Sequence, residues 1–406
     1  MENKNYFIKF FFIFLSLFSL IKIYDHAINL ETFQYGEWLI NYQFGFVRRG
    51  LFGEIIYLLS YIFNKNIQIS FFLVLSLICL FYYFLSYLFI KNTKFNILHY
   101  LIFFSPLFYI FFVIISKVGI RKEIILYIYY LLYLIFLSSN QFTIKRNWKF
   151  ILTFPLLILN HEGVFFFFPY IILPLLFIVN FRDFKKLITQ ILTLISFSTL
   201  VMIIVYINKG TYDHTLQICS SLGNYAPHKC DWWGAISALS KGPLISVDNL
   251  PMSFFYLKAS FESWIGFLFY IIYSFAPIIY FFYSTKKLKK NFIQSKKILL
   301  IYILILFICS LPLFHVAEDW SRWFSVHFHL LAFLLIFFQK IKLEYSNKNL
   351  NLIYKNTKQT KNKFKIIFIF ILFLYATSLH HTHFFFKGTK LEFTYYKIYQ
   401  KIKNIY

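Results

Sequence analysis

The chain has 406 residues, of which 59% are hydrophobic and only 14% charged, and it carries a formal net charge of +25. That much apolar surface exceeds what a soluble domain can cover with polar groups, so a water-soluble globular fold is excluded and a bilayer is the expected solvent. The lysines and arginines fall in short blocks between apolar runs, and no nucleic-acid module motif is present, so nucleic acid is not an expected partner.

Apolar runs of about 17 to 25 residues cross a bilayer as helices. In chain order the first is the start, "MENKNYFIKFFFIFLSLFSLIKIYDH", which has the basic lead and apolar run of a signal peptide without its small-residue cleavage site, and so reads as a retained span. Further spans are expected near 67–90, 97–115, 123–139, 150–160, 163–180, 187–207, 264–284, 298–314, 323–339 and 366–379, after the first near 7–24. The pattern predicts an all-α polytopic membrane protein with about 11 transmembrane helices, residues 1–406 forming one integral membrane domain. "GLFGEIIYLLSYIF", 50–63, is short, holds two glycines and carries Glu54, which suits a helix lying in the interface rather than a span.

Orientation follows from the basic blocks. With a cytoplasmic N-terminus, "KNTK", "KRNWK", "FRDFKK", "KKLKKNFIQSKK" and the Lys-rich segment after 339 all fall inside, and most acidic residues fall outside. Counting 50–63 as a span would place those blocks outside. The expected location is therefore the plasma (inner) membrane, multi-pass, with an outer C-terminus, although the tail after 380 carries five lysines. The inner charge is attracted to anionic lipid headgroups, making membrane lipids the first expected partner.

On this topology the polar residues that interrupt apolar runs gather outside. A first outer loop, 25–66, reads "YDHAINLETFQYGEWLINYQFGFVRRGLFGEI" from Tyr24 and holds Asp25, His26, Glu31, Glu37, Arg48, Arg49 and Glu54. "SKVGIRKE" adds Lys117, Arg121 and Glu123, "NHEG" adds His161 and Glu162, and "FHVAEDWSRW" adds His315, Glu318, Asp319 and Arg322. A large outer loop, 208–262, contains Cys219 and Cys230, which would form a disulfide in an oxidising compartment and stay free thiols in the cytosol.

Each cluster has a plain reading beside the functional one. "VRRG" reads as a snorkelling interfacial anchor or as a binding element. "NHEG" reads as a helix-connecting turn or as a site, and Asp319 with Arg322 as a local i, i+3 ion pair. "HHTH", His380 to His383, suits an exposed helix end better than a metal centre. His327 and His329 lie about one and two turns below Arg322 within an apolar run. There is no phosphate loop, dinucleotide fingerprint, HExxH site or serine elbow.

The layout resembles that of the C-type (GT-C) glycosyltransferases, many-span membrane enzymes. The resemblance rests on the cytoplasmic N-terminus, Asp25 directly after the first span, interfacial helices at about 31–63 and the large loop 208–262. It implies a sugar transferred on the outer face from a polyprenyl-phosphate-linked donor, in surface polysaccharide or glycoconjugate assembly. It further implies Asp25 as catalytic base, with Glu31 and Glu37 as alternatives, and basic residues such as Arg48 and Arg49 on the lipid phosphate. His161, Glu162, His315, Asp319 and Arg322 are the further candidates for binding substrate. No cofactor is required on this reading, and a divalent metal is left open. The layout is also similar to O-antigen and capsule polymerases of the Wzy type, which would move a whole repeat unit on the same polyprenyl-linked glycan. A lipid-linked oligosaccharide flippase or other transporter is the competing class, and predicts ionisable residues deep within the spans.

Overall fold

The computed structural model describes residues 2–30, 33–91, 97–109, 120–139, 142–179, 183–228, 234–240, 261–284, 290–316 and 320–346, with isolated positions elsewhere. Helices carry the architecture: α1 (Glu2–Ile28), α2 (Phe33–Trp38), α3 (Leu51–Ile62), α4 (Ile67–Ile90), α5 (Ile97–Phe103), α6 (Glu123–Leu137), α7 (Trp148–Asn160), α8 (Pro169–Ile178), α9 (Phe184–Ile207), α10 (Tyr212–Leu222), α11 (Phe261–Ser284), α12 (Lys290–Val316) and α13 (Trp320–Ser346). Among the described residues the only strands are Leu379–His380 and Glu392–Phe393, a two-residue antiparallel pair.

Among the described residues four helices are long and apolar enough to cross a membrane: Tyr6–Ile28 within α1, α4, α9, and Trp320–Lys340 within α13. Shorter apolar helices lie at Leu51–Ile62, Glu123–Leu137, Trp148–Asn160, Glu162–Ile178, Trp264–Tyr280 and Leu300–His315. The sequence therefore foretells a helical membrane protein, while several expected spans take a different form. The 97–115 run does not continue as one helix, because α5 ends at Phe103 and the chain turns through Ser105 and Pro106. Proline has no N–H to donate and disfavours helix in the residue before it, and Ser105 instead donates its hydroxyl to the Ser274 carbonyl at 2.8 Å. The 163–180 run divides into a 3-10 turn, Glu162–Phe167, and α8, which opens on Pro169. The last expected span, 366–379, lies mostly outside the described residues.

α13 is the central helix. It is 89% buried across its apolar window, against 28% for α1 and for α9 at the periphery. α1 packs on α4, α4 on α6, α6 on α13, and α7 on α9. α7 and α9 run in the same direction: near their starts the Asn147 amide donates to Gln190 Oε1 at 2.9 Å, and Gln190 donates to the Ile144 carbonyl at 2.5 Å. The chain between them returns through the 3-10 turn and α8. Consequently the ends of α7 and α9 and the starts of α6 and α13 arrive at one end of the bundle, where the charged residues collect.

Candidate functional site: a buried ion cluster at one end of the bundle

The cluster is built on the connection between α2 and α3. Trp38 donates its indole N–H to the Ile120 carbonyl at 2.9 Å, fixing the end of α2 beside the start of α6. Glu54, on the first turn of α3, accepts from the Tyr42 backbone N–H at 2.8 Å and the Gln43 amide at 2.7 Å. It thus pins a turn rather than neutralising the neighbouring arginines. Gly53 makes that packing possible, since a methyl there would collide with the Ile40 carbonyl. The turn delivers Arg48 and Arg49 inward, Arg49 with a left-handed backbone, φ 65°.

Both arginines meet Glu162. Arg48 Nη1 lies 2.7 Å from Glu162 Oε1. Arg49 donates Nε to both carboxylate oxygens, at 2.8 and 3.0 Å, and Nη2 to Oε1 at 2.5 Å. Arg48 also ties in the segment after α9: its backbone N–H reaches the Asn208 carbonyl at 3.0 Å, Nε the Lys209 carbonyl at 3.2 Å, and Nη2 the Ala238 carbonyl at 2.7 Å. That segment carries the Cys219–Cys230 disulfide, with the two Cα atoms 5.9 Å apart. It also donates the His228 backbone N–H to the Leu30 carbonyl. Burial lowers Arg48 to about 10, with Glu162 opposing the shift, so Arg48 stays charged at neutral pH. Arg49 also sits against burial, yet Glu162 carries it above its ordinary value.

A second group of ions adjoins the first. Arg121 Nε lies 2.7 Å from Glu37 Oε2, and Arg49 Nη1 is 3.8 Å from Glu37 Oε1. Arg322, from the first turn of α13, lies 3.5 Å from Glu123 Oε1. The Arg121 guanidinium covers the Phe33 ring at 4.7 Å, and that of Arg322 covers Trp323 at 4.4 Å, so aromatic faces share in the desolvated charge. Burial alone would raise Glu37, but Arg121, with His161, Arg322 and Arg49, holds it at about 2, so it is ionised throughout the neutral range.

His161 links the carboxylates. Its Nδ1 accepts the Gly163 backbone N–H at 3.0 Å, opening the 3-10 turn, so the ring proton resides on Nε2. Nε2 lies 3.8 Å from Glu37 Oε1 and 3.7 Å from Glu123 Oε1. Burial, reinforced by Arg49, lowers the imidazole to about 4, and it is neutral at pH 7. Lys122 is fully buried beneath them and donates Nζ to the Arg49 carbonyl. Burial pulls it down to about 7, with Glu37 resisting. Asn160 closes the arrangement by donating to the Lys122 carbonyl at 3.2 Å.

Among the described residues the cluster therefore joins Arg48, Arg49, Arg121, Lys122 and Arg322 to three carboxylates, Glu37, Glu123 and Glu162. Desolvated cations gathered this closely need anionic partners. Arginine forks in particular suit carboxylate or phosphate oxygens. The donor set is a poor match to a cation: the carboxylates already face guanidinium groups, and no group of three metal-ligating side chains stands among the described residues.

The structure brings together Glu37, Arg48, Arg49, His161, Glu162 and Arg322 from the candidates named in the sequence. Arg48 is buried and Arg49 half-buried, and both side chains turn to Glu162 rather than outward as snorkelling anchors. Asp25 stays exposed on the last turns of α1, and His315 is exposed near the end of α12. Glu31 and Asp319 lie outside the described residues, and Arg322 lies beside Glu123. His380 belongs to the short strand pair and not to a helix end. Arg121 and Glu123 stand among the outer-face polar residues without an assigned role, and Lys122 is not singled out by the sequence. Their signal was "RKE" standing directly against the apolar run of α6, where three charges in a row need partners. No family model, curated protein or solved structure matches this chain.

Proposed function

We propose that this chain is a many-span membrane transferase that takes a polyprenyl-phosphate-linked glycan at the outer face of the plasma membrane. The carrying observation is the buried, cation-rich cluster at the shared end of apolar helices. An anion held there sits where the headgroup of a lipid would arrive from the bilayer. The disulfide near the same end supports an oxidising, non-cytoplasmic setting for it. Exposed basic residues at the opposite end, Lys145, Arg146, Lys185 and Lys186, suit the cytoplasmic side. The finer topology belongs to the same proposal: eleven spans, the N-terminus inside and the C-terminus outside.

In this reading guanidinium groups stabilise the phosphate as it leaves the transferred sugar. Glu37, ionised by its partner Arg121, accepts a hydrogen bond from the incoming hydroxyl. A carboxylate held this low is a weak base, so it orients the hydroxyl; as the new bond to the sugar forms and the sugar–phosphate bond breaks, the proton ends on the departing phosphate. The test is complementation of a deletion strain, read as glycan product per inserted protein. Glu37→Gln should lower product by about a hundredfold or more at normal abundance, and Asp25→Asn should leave most of it. The reverse result would move the carboxylate role to Asp25. Transfer of one sugar and polymerisation of repeat units, the Wzy-like alternative, are separated by the length of the product.

A transporter is the second reading, favoured by two histidines deep in α13. His327 sits between the Tyr170 hydroxyl at 2.8 Å and the Ser310 hydroxyl at 2.7 Å, and His329 stacks on Tyr127 at 4.4 Å. If His327→Gln abolished substrate movement in vesicles while transfer chemistry could not be detected, that reading would prevail.

A further inference from the structure

The two adjacent arginines are not equivalent. Every nitrogen of the Arg48 guanidinium is committed, Nη1 to Glu162, Nη2 to Ala238 and Nε to Lys209, so two of its three bonds hold backbone of the segment after α9. Its side chain is 4% exposed. Arg49 makes no side-chain bond to backbone among those described: Nε and Nη2 both go to Glu162, and Nη1 stands 3.8 Å from Glu37. Its side chain is 16% exposed, the more accessible of the pair. Its left-handed φ of 65° is an uncommon conformation for a residue with a side chain, one that a surrounding structure must enforce. Glu162, for its part, is shared by both and needs only one to remain paired.

We propose that Arg49 is the arginine that engages an anionic phosphate group, leaving its clamp with Glu162 to do so, while Arg48 is a positioning residue that keeps Glu162 and the segment after α9 in place. The inference rests on the phosphate reading given above and divides its labour. The two parallel N–H bonds that Arg49 gives Glu162 have the fork geometry that also fits two phosphate oxygens. Exchange would leave Glu162 paired with Arg48, so no carboxylate is stranded. In the free protein Glu162 acts as a competitor for the ligand.

That last consequence gives the test a direction that a merely structural role would not produce. The full chain in phosphatidylcholine nanodiscs is titrated with a C55 polyprenyl phosphate, and separately with inorganic pyrophosphate. Glu162→Gln keeps an acceptor of similar size but weakens the competing clamp, and should bind the polyprenyl phosphate at least several-fold more tightly than wild type. Glu162→Asp, which shortens the clamp, should shift affinity the same way if Glu162→Gln fails to fold. Arg49→Gln should lose at least tenfold in affinity, and Arg49→Lys should recover only part of it. Arg48→Lys should show a smaller affinity loss together with faster reduction of the Cys219–Cys230 bond. Wild type that binds while Glu162→Gln and Glu162→Asp bind equally or more weakly would overturn the exchange and leave the phosphate reading standing. Equal losses in Arg48→Lys and Arg49→Lys would overturn the division of labour. Wild type that binds neither polyprenyl phosphate nor pyrophosphate would overturn the phosphate reading itself. Binding of pyrophosphate with the same variant order would support recognition of the phosphate group apart from its lipid.

Discussion

The two ends of the same helices carry basic residues in similar style, yet they are built on opposite principles. At the site end Arg48, Arg121, Lys122 and Arg322 are buried and face Glu37, Glu123 and Glu162. At the opposite end Lys145, Arg146 and Lys186 are exposed, and α7 and α9 are joined by a neutral amide pair, Asn147 with Gln190. One end spends its polar residues on holding charge out of water, the other on leaving charge in it. Net charge therefore says nothing about a site until burial is known. A desolvated ion pair is a weak source of stability and is disproportionately costly to break.

The largest effect should come from breaking the pairing at the site end. Glu162→Ala strands two guanidiniums, and should cost about 3 to 5 kcal/mol in a protein where the charge cannot relax to water. Thermal unfolding in detergent, compared with a solvent-facing control, measures it. A loss near that of an exposed pair would mean that the cluster is wetter than its burial indicates.

Next is the pH dependence of Lys122, which separates a buried base from the exposed ones. The unfolded chain holds this proton to about 10.5, while burial lets the folded chain hold it only to about 7. Between those values the unfolded state binds more protons, so stability should rise with pH by up to about 1.4 kcal/mol per unit, and stay flat below 7 where both states are protonated. Lys122→Met should remove that slope. His161, lowered from 6.5 to about 4, gives a separate rise between those two values, so the lysine window is distinct. An unchanged slope in Lys122→Met would place the titration elsewhere.

The neutral latch at the opposite end should matter less. Gln190→Ala leaves the buried Asn147 amide and the Ile144 carbonyl without this partner. The expected cost is about 1 to 2 kcal/mol, and activity per folded protein should hold. A loss of transfer activity at normal abundance would mean that the two ends are coupled.

How much of this was legible in the sequence depends on whether the signal was periodic or relational. The spans at 67–90 and 187–207 match α4 and α9 closely, because long uninterrupted apolar runs leave a helix as the one way to satisfy backbone groups in a bilayer. Pro106 was visible too, and with Ser105 it ends α5 earlier than run length suggested. For the site, Arg48, Arg49, His161 and Glu162 stood out because they break apolar runs. What pairs with what did not, because Arg48 and Glu162 are 114 positions apart. Asp25 drew attention through a layout resemblance, whereas Glu37 reaches the cluster because Trp38 anchors α2 beside α6. Lys122, a lysine between an arginine and a glutamate, reads as part of a solvated loop until its burial is known.

The smallest effect is predicted for the exposed pair at the opposite end. Lys186 Nζ lies 2.8 Å from Asp183 Oδ1, about the distance of Arg48 from Glu162, so distance alone would rank the two pairs together. Their side chains, however, are 59% and 38% exposed, and either charge released by mutation returns to water. Lys186→Ala should therefore change stability by no more than about 0.5 kcal/mol, and that remainder should fade with added salt. The site-end pair should respond far less to salt, since a buried pair is poorly screened. A cost for Lys186→Ala comparable with that of Glu162→Ala would break the comparison outright. Geometry, and not burial, would then be what distinguishes an ion pair that matters.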